Sequence, residues 1–548
     1  MNPPEDRQPV PITLADAVAR HARSAPDAEA VVYGEIRCGY SDLDVQVDRY
    51  AAALRAGGVA RGERIAVLST PRPEFLLTLL AAMRIGAVWV GLNPRYQLPE
   101  LDYVLGHCQP VLLVSLGHAD DMELHKAKLR ALSAAAASLR GIVTLGAAVP
   151  GLATSLDAFL GAGDAAAVPA GLAPPPLARS DPAVIVYTSG STGRPKGAVL
   201  PHATFFHSHA ALSESLFAAG DGRRAHRIIC NLPVNHVGCL ADVCGSALIE
   251  GGTIVFMDGF EPARIPAVIE RERITMLGGL PLMHQQVFEQ SDLARFDLSS
   301  LQVVAWGGAA MPRPLLERLL TRGYRFSMHY GLTEGGSINS VSAPGASLEF
   351  LTETIGRPDH DHDYRVVTAA GAFAGSGEVG EIQIRGAGVM LEYFGDPQAT
   401  RAAFTDDGWL KTGDLVEIRA DGAWRFVGRF GDMFKSGGYN VYPREIELAL
   451  EKHPSIAAAA IVGVPDSRYD EVGWAFVVAK PTVATTEADL KAYASERLAN
   501  YKIPKRFLLV KALPVLPVGK VDKRALRALA LAIASAGATD TPLPAVTR

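Results

Sequence analysis

Short apolar runs alternate with stretches of helical periodicity over most of this chain. Residues 65–69, 87–90 and 111–115 read as buried strands, with a helix over 75–85. The pattern resumes with strands at 183–187, 228–232, 253–256, 276–279 and 301–306, and helices over 262–272 and 313–322. Such alternation predicts βαβ units and an α/β fold with mostly parallel sheets. Residues 161–177 are rich in Ala, Gly and Pro and read as a linker or surface loop. From about 365 to 425, β-type runs between Gly- and Asp-rich turns predict a β-rich subdomain. After Gly428 a small α+β unit is expected: helices at 446–452 and 487–498, strands at 457–462, 472–478 and 507–510. The predicted division is therefore 1–428, a smaller domain over 429–531, and a flexible tail over 532–548.

Composition narrows the function classes. The 548 residues are 48% hydrophobic and 20% charged, enough for a large core. The formal net charge of −5 excludes binding nucleic acid or anionic lipid by bulk charge. An anion must be met by a local site. The five cysteines are odd in number and form no CxxC pair, against a disulfide framework or zinc ribbon and in favour of a reducing compartment. Cys239 and Cys244 read as buried small hydrophobes. No secretory pattern, membrane-spanning run or lipidation address is visible, so the expectation is a soluble cytoplasmic protein.

The strongest local signal is Tyr187-Thr-Ser-Gly-Ser-Thr-Gly-Arg-Pro-Lys-Gly197, directly after an apolar strand. Thr188, Ser189, Ser191 and Thr192 offer hydroxyls, and Gly190 and Gly193 allow tight backbone turns. Lys196 adds a cation, and the combination suits a polyphosphate. A P-loop needs Lys directly after Gly, followed by Ser or Thr. Here Arg194 and Pro195 intervene, and that match fails.

This loop resembles the signature of the adenylate-forming superfamily, which includes acyl-CoA synthetases, aryl-CoA ligases and peptide-synthetase adenylation domains. Further motifs follow in the family's order. Asn231-Leu-Pro-Val-Asn-His236 resembles the segment bordering the acyl pocket, which makes His236 a gate beside the carboxylate. Trp306-Gly-Gly308-Ala309-Ala-Met-Pro312 resembles the segment where a flat base approaches the backbone. His329-Tyr330-Gly331-Leu-Thr333-Glu334 is similar to the motif in which Tyr330 stacks on adenine and Thr333 donates to the α-phosphate. Glu334 would then bind Mg²⁺ together with Thr188.

Gly408-Trp-Leu-Lys-Thr-Gly-Asp414 resembles the ribose motif, whose Asp accepts from both ribose hydroxyls. In the crossover segment 428–447, the resemblance gives Arg429 a ribose contact and Lys435 a place at the thioester step. Gly437 and Gly438 would line a pantetheine tunnel. The family's hinge position, usually Asp or Lys, is Gly431. The C-terminal Gly519-Lys520 resembles the motif whose lysine reaches the α-phosphate and the attacking carboxylate, with Val518 where a hydroxyl residue is usual.

The resemblance implies an ATP-dependent acid–thiol ligase. It would form an acyl-adenylate with release of pyrophosphate and pass the acyl group to CoA, with homodimerisation common among relatives. Two alternatives belong to other classes: a stand-alone enzyme loading a carrier protein, and a non-catalytic nucleotide-binding scaffold. The acyl pocket is expected from His236 to Gly238, Trp306-Gly307 and Gly335 to Ser337. Small residues there, and no evident buried charge, point to an apolar acid, fatty or aromatic or alicyclic.

Overall fold

The computed structural model describes residues 10–115, 122–165, 176–188, 194–216, 225–480, 485–515 and 521–535. The chain forms two compact units. One comprises Met1–Tyr364 and Gln383–Thr412, the other Arg365–Ile382 and Gly413–Arg548.

The first unit holds two sheets. In one, the parallel strands Val88–Leu92, Arg64–Leu68, Leu112–Ser115, Gly141–Thr144 and Thr154–Ser155 lie in that order. Pro182–Thr188 joins Val88–Leu92 in parallel and turns back as the antiparallel strand Lys196–Pro201. In the other, the parallel run is Glu29–Tyr33, Thr253–Phe256, Arg227–Cys230, Met276–Gly279, Val303–Gly307 and Arg325–Tyr330. Helices cover these strands, and the cores are Val-, Ile- and Leu-rich on both sheets. That is the composition parallel strands need when both faces are buried.

The two sheets meet at a point where a side chain would not fit. A Cβ on Gly91, in Val88–Leu92, would fall 2.8 Å from Asn235 Cα and 2.8 Å from the Val234 carbonyl oxygen. The segment ending in His236 therefore packs backbone to backbone on the neighbouring sheet. Asn235 Nδ2 adds a hydrogen bond to Tyr96 Oη at 3.0 Å.

In the second unit, Ile456–Asp466 and Asp470–Ala479 form a long antiparallel pair. Arg506–Leu509 adds in parallel, and the hairpin Phe434–Ser436 with Tyr439–Val441 extends the sheet. Alternate residues divide between two cores. Ile461, Ala475 and Val477 face the helices Pro443–Glu451 and Glu487–Ser495, whereas Val462, Trp474 and Phe476 face Lys523–Ser535. This is the period-two partition of a sheet buried on both faces.

Three expectations change. The linker read over 161–177 is helical in its first part, because Leu156–Ala165 forms a helix with Leu156, Leu160 and Gly163 buried. Residues 166–175 lie outside the described residues. The helix Lys523–Ser535 also runs past the expected fraying point, because Leu526 and Ala530 pack on the sheet; residues 536–548 lie outside the described ones. Finally, the apolar run after His236 forms a π-helix, Gly238–Gly245, which its hydropathy gave no sign of. Cys239 and Cys244 are fully buried in it, as expected, with Cys230 Sγ 3.6 Å and 3.8 Å from their sulfurs. The division at 428/429 concerns motion and stays a proposal. In packing, Leu410–Ile418 and Trp424–Arg429 pair in one antiparallel sheet.

Replacing Gly91 with Ala tests the close approach of the two sheets. Overpacking of this kind costs about 1–3 kcal/mol. The expected result is a lowered midpoint of chemical denaturation together with weakened activity through the displaced His236 segment.

Candidate active site

Two motifs 146 residues apart in sequence touch in space. Thr188 ends the strand Pro182–Thr188, and its Oγ1 donates to Glu334 Oε1 at 2.9 Å. Glu334 lies in the 3-10 turn Thr333–Gly335 that follows Arg325–Tyr330 in the other sheet. Lys196 sits opposite Thr188 in the hairpin register, at the mouth of the phosphate loop. The loop is anchored by Tyr103 Oη, which donates to the Pro195 carbonyl at 2.9 Å. Ser189, Gly190, Ser191, Thr192 and Gly193 lie outside the described residues.

Tyr393 completes this cluster and was not found from the sequence. It pairs beside Lys196–Pro201, opposite Ala198, and its Oη donates to Glu334 Oε1 at 3.0 Å. Lys196 Nζ lies 5.0 Å from the centre of its ring. Burial and the Glu334 charge push the Tyr393 phenol well above its ordinary pKa, so it remains a donor. Sequence offered no signal for it beyond an aromatic pair in Glu392-Tyr393-Phe394, far from every recognised motif. The two hydroxyls both point at Oε1, and Oε2 has no partner among the described residues. A carboxylate and a hydroxyl form a hard oxygen set, and Mg²⁺ takes few carboxylates besides phosphate and water. Thr188 and Glu334 therefore fit that ion chemically.

The carboxyl ends of two adjacent parallel strands form the next part. Gly307 pairs with His329 in register, so Gly308 and Ala309 emerge beside Tyr330 and Gly331. Gly308 and Ala309 are exposed, and Tyr330 is half-buried. Strand carboxyl ends are where parallel sheets bind ligands. Trp306 does not line this region: it is fully buried in the core, edge-on to Phe326 at 5.9 Å, so its expected place in the acyl pocket is corrected. Strand alternation turns its side chain inward while Gly307 meets the neighbouring strand.

Gly331 is dictated by contact. A Cβ there would lie 1.5 Å from the Ser337 carbonyl oxygen. Ser337 itself has φ +82°, a strained conformation for a residue with a side chain. Its Oγ donates to Asp242 Oδ1 at 2.7 Å, and Ser208 Oγ donates to the same oxygen at 2.6 Å. Asp242 thus brings a half-buried carboxylate where no charge was expected. One acid inside the apolar run Gly238-Cys-Leu-Ala-Asp-Val-Cys-Gly245 was the available signal.

The Ser337 segment is held from behind by a histidine pair. The rings of His207 and His362 stack at 3.4 Å and 6°. His207 Nε2 contacts the Ile338 carbonyl at 2.6 Å and Nδ1 contacts Asp361 Oδ2 at 3.0 Å. Both partners accept, so both nitrogens donate and the ring is an imidazolium. Burial alone would lower its pKa, but the Asp361 hydrogen bond, the Asp359 charge and the Ile338 carbonyl outweigh it and raise the value. His362 is pushed down to about 3, chiefly by burial and then by the His207 charge, and its Nε2 accepts from the Gly388 amide. With these nitrogens committed, His207, Asp361 and His362 are poorly arranged to hold a metal, although they cluster closely.

His236 is half-buried at the start of the turn leading into the π-helix. In the second unit, Asp414 is fully buried and Arg429 Nε donates to its Oδ1 at 2.8 Å across paired strands. Lys435 is exposed. Gly437 and Gly438 form the two-residue turn between Ser436 and Tyr439, with φ of +57° and +87°. Positive φ at both positions is the type I′ requirement, which explains these glycines independently of any tunnel. Gly431 lies in the turn after Arg429, and neighbouring Asp432 pairs with Lys523 Nζ at 3.6 Å. Lys520 lies outside the described residues, between Val515 and Val521, which bridge each other.

Two predictions follow from this geometry. Tyr393→Phe removes one of two hydroxyls on Glu334, and a hydrogen bond to a charged group is worth about 1.5–3 kcal/mol. We expect roughly a tenfold loss of pyrophosphate exchange at limiting Mg²⁺ and a larger loss for Glu334→Gln, read from Mg²⁺ titrations. For His207, the folded pKa lies above the unfolded value of about 6.5. Its contribution to stability is full below about pH 6.5 and is lost as pH rises through the raised value. Denaturation midpoints should fall between pH 6 and 9, and Asp361→Asn should flatten that slope.

Comparison with known proteins agrees with the geometry. Residues 18–394 match the family model "AMP-binding enzyme", and residues 445–520 match "AMP-binding enzyme C-terminal domain". The chain is 36% identical over 517 residues to a feruloyl-CoA synthase of Amycolatopsis sp, covering 93% of this chain and 97% of that protein. It is 35% identical over 535 residues to the 3-[(3aS,4S,7aS)-7a-methyl-1,5-dioxo-octahydro-1H-inden-4-yl]propanoyl:CoA ligase of Mycobacterium tuberculosis, covering 94% and 99%. Among solved structures, ATP-bound MatB from Rhodopseudomonas palustris superposes with a TM-score of 0.80 at 26% identity, covering 94% and 98%. Matched motifs, fold and family models agree, and the chain belongs to the AMP-binding enzyme family, within the adenylate-forming superfamily.

Proposed function

We propose that this acyl-CoA synthetase activates a ring-bearing carboxylic acid, aromatic or alicyclic. The reaction class is that of an AMP-forming acid–thiol ligase: acid and ATP give acyl-AMP and pyrophosphate, and CoA then displaces AMP. The observation that carries the class is the Thr188–Glu334 contact, which unites the phosphate-loop strand with the Tyr330–Glu334 motif. The relatives at 36% and 35% identity act by name on an aromatic and a fused-ring acid, which favours a ring over a plain fatty chain.

The first step joins two anions, and their repulsion is what the site offsets. No general base is needed, because a carboxylic acid is ionised at neutral pH. Lys196 and the loop donors Ser189 to Gly193 hold the polyphosphate, and Thr333 donates to the α-phosphate. Thr188 and Glu334 would hold Mg²⁺, which supplies positive charge against the phosphate oxygens. Tyr330 stacks on adenine beside Gly308, Ala309 and Gly331, and Asp414 with Arg429 binds ribose. Lys520 bridges the α-phosphate and the attacking carboxylate. His236 gates the acid, and in the second step Lys435, Gly437 and Gly438 serve the thiol arm. Rotation of residues 429–531 about Gly431 exchanges the two sets. Free cysteines fit a reducing, cytoplasmic setting, and among the described residues no helix is long and apolar enough to cross a membrane. A homodimer is part of the same proposal.

AMP release from a panel of about twenty acids, with CoA or a phosphopantetheinylated carrier as acceptor, tests this reading. Ring-bearing acids with CoA should lead, and preference for the carrier would overturn the acceptor assignment. Lys520→Ala should lower pyrophosphate exchange about 10²-fold, near 3 kcal/mol, while thioester formation from supplied acyl-adenylate is spared. Equal loss of both halves would sink the role given to Lys520.

A further inference from the structure

Asp242 has one oxygen occupied and one open. Oδ1 takes both serine hydroxyls, Ser208 from the helix Ala203–Leu216 and Ser337 from the segment after Glu334. Oδ2 has no hydrogen-bond partner among the described residues. Asp242 is only partly covered, although Ala241 and Val243 on either side are buried.

The open oxygen and His236 border one space. A Cβ on Gly238 would lie 3.5 Å from Asp242 Oδ2, 3.8 Å from His236 Nδ1 and 4.0 Å from Leu232 Cδ1. Glycine at 238 leaves that volume free, with an apolar wall at Leu232 and a carboxylate in it. The carboxylate is expensive to keep. Burial, working against the two serine bonds and the His207 charge, pushes its pKa up to about 6. Tying together two serine hydroxyls does not need a charge, since an asparagine oxygen would accept both. Ser337 moreover holds a left-handed backbone to reach it.

We propose that Asp242 determines specificity in the acid pocket, its Oδ2 accepting a hydrogen bond from a hydroxyl carried by the substrate away from the reacting carboxylate. This rests on the reading of the chain as a ring-acid ligase with His236 at the gate. A neutral donor suits the site better than an ammonium, because the His207 imidazolium already balances part of the Asp242 charge. A second carboxylate on the acid would be repelled. A site built to bond a hydroxyl rejects the analogue that lacks it, because its own polar group is left unpaired.

The test compares kcat/KM for matched acids: 4-hydroxycinnamate against cinnamate, and 10-hydroxydecanoate against decanoate. Wild type should favour the hydroxylated member by about tenfold or more. In Asp242→Leu no acceptor remains for the hydroxyl, whereas an asparagine NH₂ could still donate to the hydroxyl oxygen. The ratio should then fall towards one, with the change in KM and not in kcat. Ser337→Ala, which only loosens Asp242, should reduce the ratio partway and covers the case in which the Asp242 variant does not fold. An equal rate for both members in wild type, or a ratio unchanged in both variants, overturns the proposal. Turnover confined to the decanoate pair overturns the ring reading while still testing Asp242 on that pair. No turnover of either pair overturns both.

Discussion

The contact between Thr188 and Glu334 is where two separately built sheets become one site. Thr188 comes from a hairpin strand of one sheet, and Glu334 from the turn after an edge of the parallel run in the other. Neither residue is unusual in its local setting. A hydroxyl at a strand end and a carboxylate in a 3-10 turn gain meaning only when the two sheets are brought together. That packing depends on backbone approaching backbone, as at Gly91 against Val234 and Asn235. A methyl group at that point would separate the His236 segment from its support.

The same economy of space recurs at Gly331, whose missing side chain lets Ser337 cross directly over it. The crossing fixes the Ser337 backbone at positive φ and aims its hydroxyl at Asp242. Behind it, the stacked His207 and His362 rings lock the Ile338 carbonyl and the Gly388 amide. The segment after Ser337 is therefore held by one charged imidazole, His207, stacked on a neutral one, His362. The strip 330–338 ties the Glu334 turn to the Asp242 cluster, so a change in one is felt in the other.

The phosphate loop was legible in the sequence because polyphosphate chemistry needs particular residue types close together. Glycines, hydroxyls and a lysine within ten residues cannot be mistaken for a hydrophobic core, and Lys196 was read that way, whereas Tyr330, Glu334 and the pairing of Thr188 with Glu334 came from the family resemblance. Parallel strands were legible for the same kind of reason, since 254–256 and 276–279 carry no polar side chain. Tyr393 was not, because its part comes from pairing beside Lys196–Pro201 at long range, and an aromatic pair leaves no pattern. Trp306 misled because it adjoins a motif in sequence while strand alternation points it into the core. Gly437 and Gly438 were read through the resemblance alone, yet the hairpin turn already demands both.

Asp242 shows most clearly what hydropathy hides. The run 238–245 averages as apolar, so one acid in it passes for a tolerated exception. The π-helix winds more widely than an α-helix, and among the described residues it is the one such element, shortly after His236. Its wider turn sets Cys239 and Cys244 together against Cys230 on one side while presenting Asp242 over Gly238 on another. Local insertions of this kind are frequent at functional sites. Here one eight-residue segment makes a thiol-lined core contact and also carries a carboxylate bonded by Ser208 and Ser337.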